Sequence, residues 1–288
     1  MTRGSLLKEI AKKSLGDNFA ALVWRRVELV GDIAIIRAPF NLEASSLKPL
    51  GEELLKTLPY VKSVWAALPG VNGQFRLRSH IWLAGEHRSE TLYKEHGCSF
   101  KVDINKVYLS PSLNYEHIRV AKQVKPGEVV LNMFAGAGLF SIIIAKHAKP
   151  HKVYSIDISR DAYNYMVENI KLNRVEEIVV PLLGDAKDVI EFSLKNVSTR
   201  VLMPCPELAL QYLPYAIKSL SDQMGFVHLY LHIKASKGEH WRDKVTSMIT
   251  TKLRELSIDK FEIINMRKIR NVGPRTHQVV VDCALNKC

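Results

Sequence analysis

The strongest constraint on the fold is an alternation of short apolar segments with helical patterns, which begins near Phe100. Five segments combine β-branched and apolar residues over strand-like lengths, and a helical pattern follows each of the first four. These segments are GEVVLNMFAG, HKVYSIDIS, EIVVPLLGDA, TRVLMPCP and GFVHLYLHIK. Apolar strands separated by helices are typical of a parallel sheet that is covered on both faces. The sequence therefore predicts an α/β fold with a doubly wound, mostly parallel sheet over residues 101–288.

The first hundred residues show a different, mixed pattern. A basic helix over residues 6–15 precedes two strand-like runs around a Gly31-Asp32 turn, and a helix closed by Pro59 precedes two more. We predict a small α+β domain over residues 1–100 with an RNA-binding or linker role. A long basic helix over residues 239–256 and a last strand, THQVVVDCAL, complete the second domain.

The net positive charge of the chain indicates a negatively charged partner. The 41 Lys and Arg exceed the 29 Asp and Glu, which leaves a formal charge of +12 and indicates a polyanion such as nucleic acid. The four cysteines are scattered and no Cys/His spacing fits zinc, so we expect no metal. The sequence has neither a run of roughly 18 apolar residues nor a signal-peptide core, which predicts a cytoplasmic protein without a membrane segment.

The clearest chemical signal is a glycine-rich turn, NMFAGAGLFS, after the first strand of the second domain. Gly136 and Gly138 allow a tight turn and a close approach of a ligand, and the following helix offers unpaired N–H groups. A Gly-x-Gly pair alone is weak evidence, because many α/β proteins turn in this way for packing. A dinucleotide oxidoreductase would show a third glycine, whereas Ser141 holds that position here.

Two acids strengthen the prediction of a nucleotide site. Asp157 ends the second strand, about 20 residues beyond the glycines, where an acid can accept from ribose hydroxyls. Asp185 follows the third strand, where it could contact an adenine amino group. This pattern favours S-adenosylmethionine as the cofactor and a class I, Rossmann-like methyltransferase domain. The predicted cofactor contacts are Phe134, Ala135, Gly136, Gly138, Asp157, Ile158, Asp185, Ala186, Met203 and Pro204.

Several further segments resemble one enzyme family. They are GQFRLR (73–78), LAGE (83–86), KEHGC (94–98), VYLSPSLNYE (107–116) and the stretch 267–277. With the glycine turn, they resemble the archaeal and eukaryotic tRNA guanine N1-methyltransferases, which act on the guanosine 3′ of the anticodon. The wybutosine-pathway aminocarboxypropyl transferases are a sister family with the same fold. The resemblance runs from about Val64 to the C-terminus.

The resemblance implies a reaction and three catalytic residues. A methyl group would pass from S-adenosylmethionine to N1 of guanosine 37 in a tRNA. Glu116 matches the family's general base, Arg76 its cation beside O6, and Tyr108 its aromatic residue near the donor and the flipped base. The implied partner is tRNA, contacted around the anticodon stem-loop. We expect a monomer, although the sequence does not fix the oligomeric state.

The chain departs from the family pattern at two positions. Ser112 stands where an Arg usually follows the Ser-Pro pair, and Pro204 stands where the methyltransferases carry an Asn that holds the guanine edge. The sister transferases also lack this Asn. Two alternatives therefore remain open: aminocarboxypropyl transfer from the same cofactor to a tricyclic guanosine derivative, and a non-catalytic RNA-binding relative.

Two more features suggest chemistry outside these motifs. Pro204-Cys205 also matches the strand-end motif of cytosine C5-methyltransferases, in which a thiolate adds to the ring. The next strand, HLYLHIKAS, supplies no second cysteine, so we expect a buried and unreactive Cys205. The basic segment 266–275, MRKIRNVGPR, is expected to contact RNA phosphates.

Overall fold

The structure, a computed structural model, describes residues 3–40, 42–70, 77–221 and 224–286. The chain divides into two compact units, residues 1–111 and 112–288. The boundary lies beyond residue 100, where the sequence pattern placed it, because the segment that follows stays bonded to the first unit. Ile104 N–H donates to the carbonyl of Ser89, and Val107 N–H donates to that of Asp103.

The first unit has an α+β architecture. Its elements are α1 (Arg3–Leu15), α2 (Asp17–Leu22), β1 (Val27–Val30), β2 (Ile33–Arg37), α3 (Lys48–Thr57), β3 (Ser63–Ala67), β4 (His80–Gly85), β5 (Glu90–Glu95) and β6 (Cys98–Asp103). Strands β1 to β4 form a sheet in that order, in which β2 and β3 are parallel and the outer pairs antiparallel. Gly31, at φ +56°, makes the predicted turn between β1 and β2.

The hairpin of β5 and β6 is absent from the sequence prediction. Its two-residue turn consists of His96 and Gly97, both with positive φ, as a type I′ hairpin turn requires. Strand β5 buries every second residue. Its charged residues lower the hydrophobicity of the segment and hide this alternation from a composition-based prediction.

The second unit contains the predicted alternation of strands and helices. Its elements are α4 (Asn114–Ala121), β7 (Val129–Asn132), α5 (Leu139–Ala148), β8 (Lys152–Asp157), α6 (Arg160–Leu172), β9 (Val179–Leu183), α7 (Ala186–Ser193), β10 (Arg200–Met203), α8 (Ala209–Ser219), β11 (Met224–Lys234), α9 (Trp241–Glu255), β12 (Phe261–Gly273) and β13 (Thr276–Asn286). Each strand predicted in this domain is present, and a helix follows each of the first four.

The seven strands of this unit form one sheet in the order β12-β13-β11-β10-β7-β8-β9. The strands from β11 to β9 are parallel to their neighbours, whereas β13 is antiparallel to both β11 and β12. This confirms the doubly wound, mostly parallel sheet. Because β8 lies on one side of β7 and β10 on the other, the strand order reverses at β7. Open α/β sheets bind ligands at the carboxyl ends of the strands at such a reversal.

Strand β12 was not predicted, although it has 13 residues. Its pairing with β13 shifts register at three places, which disturbs the alternation that sequence patterns rely on. It is an edge strand of the sheet and carries the basic segment. Charged side chains at an edge discourage pairing with another chain.

Helix α5 fixes the site against the sheet. Ile142, Ile143 and Ile144 are all fully buried, so the helix packs on every side rather than along one stripe. The glycine-rich turn leads directly into this helix. The turn is therefore held by the most buried helix of the unit.

Candidate active site

The glycine-rich turn connects β7 to α5. Gly136 and Gly138 adopt left-handed φ values of +56° and +90°, and Gly138 is the N-cap of α5. A Cβ on Gly138 would lie 3.1 Å from Cγ of Met166 and 3.2 Å from Cδ1 of Ile142. The left-handed conformation therefore favours glycine at this position, and a Cβ would also require Met166 and Ile142 to shift.

A set of mostly buried hydrogen bonds holds the turn against the sheet. Asn132 Nδ2 donates to Ser141 Oγ at 3.1 Å, and Ser155 Oγ donates to the same oxygen at 2.7 Å. Asn132 Oδ1 accepts from the Phe134 N–H at 3.4 Å. Ser141, which replaces the third glycine of a dinucleotide motif, therefore joins α5 to β7 and β8.

Asp157 ends β8 beside the glycine turn. Its Oδ2 accepts from Gly136 N–H at 2.7 Å and its Oδ1 accepts from Ser159 N–H at 2.9 Å. Burial raises the pKa of Asp157, and these backbone hydrogen bonds act in the opposite direction. The next residue, Ile158, is 49% exposed. A carboxylate with remaining acceptor capacity beside an exposed apolar side chain fits a ribose and its attached base.

Asp185 is the N-cap of α7, where its Oδ1 accepts from Lys187 N–H at 3.0 Å. Both of its oxygens also lie 3.0 Å from the Tyr212 hydroxyl, which donates to them. Burial, with the Asp185 hydrogen bond, raises the pKa of Tyr212 to about 12. Phe134 meets the Tyr212 ring edge-on at 5.4 Å. We call Phe134–Gly138, Asp157 and Asp185 the glycine edge.

The loop after β10 contains the departure from the expected motif. Met203 is buried, and Pro204 is half-buried. Cys205 is half-buried too, so the expectation of a buried thiol is wrong. Beyond it, Glu207 Oε1 lies 2.9 Å from Nδ1 of His232 on β11. The loop therefore presents a carboxylate paired with an imidazole close in sequence to the position that lacks Asn.

Glu116 is fully buried in α4. Its Oε2 accepts from Nε of Arg119 at 2.9 Å and from the Tyr230 hydroxyl at 3.4 Å. Its Oε1 lies 3.0 Å from Nε of Arg267, but the two groups are not aligned for a hydrogen bond. Among the described residues Oε1 has no hydrogen-bond partner. One oxygen is thus anchored, and the other is available to accept a proton.

Arg119 joins Glu116 to a second carboxylate, which sequence reasoning missed. Its guanidinium donates to the two oxygens of Asp282 at 2.5 and 3.2 Å. Burial opposes both charges, but the hydrogen bonds from His228 and Arg119 outweigh it and hold the pKa of Asp282 well below its ordinary value. The same carboxylate raises the pKa of Arg119.

His228 extends this arrangement across the sheet. Its Nδ1 lies 2.6 Å from Asp282 Oδ1, and its Nε2 lies 2.8 Å from Nη1 of Arg200. Because arginine can only donate, Nε2 accepts and Nδ1 carries the proton. Burial lowers the pKa of His228, in agreement with a neutral ring. Arg200 Nε in turn donates to Glu128 at 2.7 Å.

We call Glu116, Arg119, His228, Tyr230, Arg267 and Asp282 the Glu116 cluster. A sequence signal for it exists in the strands, where Asp282 interrupts VVVDCAL and His228 interrupts FVHLYL. A polar residue within an apolar strand needs a buried partner. The signal does not reveal which partner, because the residues that meet are far apart in the chain.

Two arginines of the basic segment have partners within the second unit. The Arg267 guanidinium lies 4.1 Å from the centre of the Tyr115 ring. Arg270 donates from Nη1 to Ser112 Oγ and from Nε to Gln278 Oε1, each at 2.7 Å. The predicted contact with RNA phosphates therefore rests on the exposed side chains of the segment, and it stays a prediction.

The structure gives no distance from Glu116 to the other two predicted catalytic residues, Arg76 and Tyr108. Arg76 lies outside the described residues. Tyr108 belongs to the first unit and is 45% exposed, so it is not a core residue. Their roles remain predictions.

The described part of the chain shows neither a metal site nor a membrane-spanning helix. It contains no group of three or more His, Cys, Asp or Glu side chains arranged to hold a metal ion. No helix in the same residues is both long and apolar enough to cross a bilayer.

Comparison with known proteins settles the family. Residues 91–257, more than half of the chain, match the model described as the TRM5/TYW2 methyltransferase domain. The chain belongs to this family. The resemblance found in the sequence motifs is therefore confirmed. The matched region of this chain includes the glycine turn, Asp157 and Asp185.

Curated relatives of this TRM5/TYW2 family member have different reaction names. The tRNA 4-demethylwyosine(37)-methyltransferase Taw21 of Saccharolobus solfataricus is 42% identical, over 92% of this chain and 95% of the relative. The tRNA (guanine(37)-N(1))-methyltransferase Trm5b of Pyrococcus abyssi is 36% identical, over 88% of this chain and 73% of the relative. An aminocarboxypropyltransferase of Methanocaldococcus jannaschii is 31% identical, over 91% and 98%.

Solved structures of the family have the same fold as this chain. A complex of aTrm5 with tRNALeu matches 97% of this chain and 78% of the solved chain, with a TM-score of 0.83 and 33% identity. TYW2 of M. jannaschii, solved with AdoMet, matches 91% of this chain and all of the solved chain, with a TM-score of 0.68 and 27% identity. The α/β class is thus confirmed independently of the strand pattern.

Proposed function

We propose that this protein transfers a methyl group from S-adenosylmethionine to the guanine-derived base at position 37 of a tRNA. The glycine edge would hold the cofactor, with Asp157 on the ribose hydroxyls, Asp185 toward the adenine and Ile158 against its face. S-adenosylmethionine supplies the methyl group on a positively charged sulfur. The fit of these residues, the family and the AdoMet-bound relative support this choice.

The observation that carries the proposal is the Glu116 carboxylate. Methyl transfer to a ring atom that bears hydrogen requires a proton to leave as the new bond forms. Glu116 Oε1 is buried and has no hydrogen-bond partner among the described residues, while Oε2 is anchored on Arg119. We assign Glu116 as the base: the methyl passes from sulfur to the acceptor, S-adenosylhomocysteine leaves, and the proton moves to Oε1.

We propose 4-demethylwyosine as the first acceptor to test. The Taw21 relative, which is named for this acceptor, matches this chain over 95% of its own length, whereas Trm5b of P. abyssi matches over 73%. Pro204 also lacks the amide that would hold the edge of an unmodified guanine. Both observations favour the tricyclic base.

N1 of guanosine 37 is the second candidate, because the motifs around Arg76, Tyr108 and Glu116 resemble those of the guanine N1-methyltransferases. Glu116 would then remove the N1 proton, and Arg76 would stabilise the negative charge that develops on O6. Tyr108 would lie near the donor and the flipped base. Glu207, which is paired with His232 on β11, would supply polar contacts from the loop without Asn.

Mass spectrometry of tRNA nucleosides tests this proposal. The protein is incubated with S-adenosylmethionine and one of two otherwise identical tRNAs, with guanosine or with 4-demethylwyosine at position 37. We expect one methyl to be added to the 4-demethylwyosine tRNA, with S-adenosylhomocysteine as the by-product.

The other outcomes are equally informative. A methyl on guanosine 37 alone would select the second candidate. An aminocarboxypropyl adduct with methylthioadenosine as the by-product would overturn methyl transfer. Recovery of both tRNAs unchanged, with tRNA binding intact, would leave a non-catalytic RNA-binding relative.

A further inference from the structure

The charges around Glu116 balance only when Arg267 is included. The charged and titratable groups come from α4, from the residue just before β7, and from strands β10 to β13. They are Glu116 and Arg119, Glu128, Arg200, His228 and Tyr230, Arg267, and Asp282. His228 is neutral by its tautomer, and burial raises the pKa of Tyr230 well above its ordinary value, so neither carries charge. Among the described residues, three carboxylates therefore face three guanidinium groups.

Neither of the other two guanidinium groups is bound to Glu116 alone. Arg119 is shared between Glu116 and Asp282, and its side chain is 10% exposed. Arg200 is bound to Glu128 and is 3% exposed. Of the cations that the structure describes here, Arg267 is the one that remains, so the Glu116 charge depends on it for compensation.

Arg267 is also the cation that can leave most easily. Its side chain is 35% exposed, and its Nε makes no aligned hydrogen bond to Oε1 despite the 3.0 Å separation. Its guanidinium lies over the ring of Tyr115, which is itself 56% exposed. A stacked guanidinium on a partly exposed side chain loses little when it moves into water or onto a phosphate.

Resting on the proposed function, we infer that Arg267 is the counter-ion of Glu116 in the ligand-free protein and that the acceptor base displaces it. Arg267 covers the one oxygen of Glu116 that can take a proton, so the acceptor and Arg267 compete for the same place. Its departure leaves Glu116 with the shared Arg119 alone. The carboxylate oxygen then faces the acceptor at the step in which it must accept a proton. Arg267 is thus a positioning residue.

The first test uses the ligand-free protein and needs no activity. Thermal midpoints are measured for Arg267→Ala, Glu116→Gln and the double variant. We expect Arg267→Ala to lower the midpoint by several degrees, and Glu116→Gln to recover at least half of that loss, because a neutral amide needs no counter-ion. Arg267→Lys, which keeps the charge, should lose less than Arg267→Ala.

The surface pair Lys195 and Glu191, 2.8 Å apart, is the matched control, and Glu191 keeps Lys218 as a second partner. Lys195→Ala and Glu191→Gln should combine additively. If the Arg267→Ala loss is as large with Gln at position 116 as with Glu, the counter-ion role is overturned.

The second test separates the free protein from the complex through the pH dependence of methyl transfer. The acid limb of kcat/KM reports the free protein, and that of kcat reports the complex. In Arg267→Ala the limb of kcat/KM should move up by about one pH unit, a roughly tenfold loss on its acid side, while the limb of kcat stays in place. Arg267→Lys and Lys195→Ala should leave both limbs unchanged.

Two results would overturn the displacement. Equal movement of both limbs in Arg267→Ala would mean that Arg267 stays on Glu116 in the complex, and a loss of tRNA affinity with neither limb moved would make it a phosphate contact only. Absence of methyl transfer by the unaltered protein would overturn the proposed function instead. The thermal midpoints of the single and double variants would then alone decide whether Arg267 is the counter-ion of Glu116.

Discussion

The glycine edge and the Glu116 cluster belong to the same unit but are built in opposite ways. The glycine edge is held mainly by backbone conformation and backbone hydrogen bonds. It contains two left-handed glycines, a helix N-cap and carboxylates that accept from main-chain N–H groups. In the Glu116 cluster, side chains from α4, β11, β12 and β13 bind one another with little help from the main chain.

This difference has a physical consequence. Backbone N–H groups at a strand end stay in place when a nearby side chain changes, so substitution of an acid of the glycine edge should have local effects. In a buried network of alternating charges each group depends on its neighbours. The loss of one member therefore leaves its partner as an uncompensated charge in a medium of low polarity. The five predictions below test that contrast, from the largest expected effect to the smallest.

Removal of the base should have the largest effect. Glu116→Gln keeps the shape but not the charge, and we expect methyl transfer to fall by about 10²–10⁴-fold because proton removal loses its acceptor. Binding of S-adenosylmethionine should stay unchanged, since Asp157 and the glycine turn are intact. Single-turnover rates and equilibrium dialysis measure the two quantities. Glu176→Gln, on the exposed surface, is the control, and a similar loss in both variants would refute the assignment.

Removal of the central acid of the cluster should have the largest effect on stability. Asp282→Ala deprives Arg119 and His228 of their shared acceptor, and we expect a loss of about 3–5 kcal/mol in the free energy of unfolding. Urea denaturation provides the measurement. Asp282→Asn, which can still accept one hydrogen bond, should lose less. Equal stability of the wild type and Asp282→Ala would show that the cluster behaves like the glycine edge.

Removal of the strand-end acid should act on the cofactor alone. Asp157→Ala would lose the proposed charge-assisted hydrogen bonds to the ribose, and we expect affinity for S-adenosylmethionine to fall about 10- to 100-fold. Asp161, exposed in the first turn of α6, supplies the control variant Asp161→Ala. Titration calorimetry measures the affinity. A normal affinity in Asp157→Ala would place the cofactor elsewhere.

The two acids should change the pH dependence of stability with opposite signs. The pKa of Asp282 is held below its ordinary value of 3.8, so its stabilising contribution is complete above pH 3.8 and is lost as the pH falls toward the folded pKa. The pKa of Asp157 is raised above 3.8, so its unfavourable contribution develops as the pH rises from 3.8 through the folded pKa.

Thermal midpoints between about pH 3 and pH 7 measure this difference. The deficit of Asp282→Asn against the wild type should shrink toward acid pH. Asp157→Asn should instead improve relative to the wild type as the pH rises. If the thermal midpoints of the two variants, relative to the wild type, changed with pH in the same direction, the opposite pKa shifts of Asp282 and Asp157 would be contradicted.

Substitution of the loop cysteine should have the smallest effect. Cys205→Ala should keep methyl transfer within about twofold of the wild type, because the proposed reaction uses a carboxylate base and no thiolate. Single-turnover rates measure it, with Cys98→Ala as the control for loss of a thiol. A loss of several orders of magnitude confined to Cys205→Ala would revive a covalent mechanism.

The sequence predicted the glycine edge far better than the Glu116 cluster. Gly136, Gly138, Asp157 and Asp185 each follow a predicted strand, so the rule that parallel strands end at one edge of the sheet was enough to bring them together. Glu116 was found only through its resemblance to a family motif. Arg119, His228 and Asp282 were not found at all, because no local pattern links a helix near residue 119 to a strand near residue 282.

The missed elements have a related cause. Strand β12 is irregular in register and basic at the sheet edge, and β5 carries charges between its buried residues, so neither shows the apolar pattern of a core strand. The position of the unit boundary also depended on long-range bonds, such as that from Ile104 to Ser89.

The sequence by itself determined the doubly wound sheet, the glycine turn and the acids at the strand ends, because these depend on periodicity and on backbone rules that act over a few residues. Only the tertiary structure decided which oxygen of Glu116 is anchored, which tautomer His228 adopts and which arginine balances the buried charge. Those properties arise where side chains distant in the chain meet away from water, and there the energy of each charge depends on all of its neighbours.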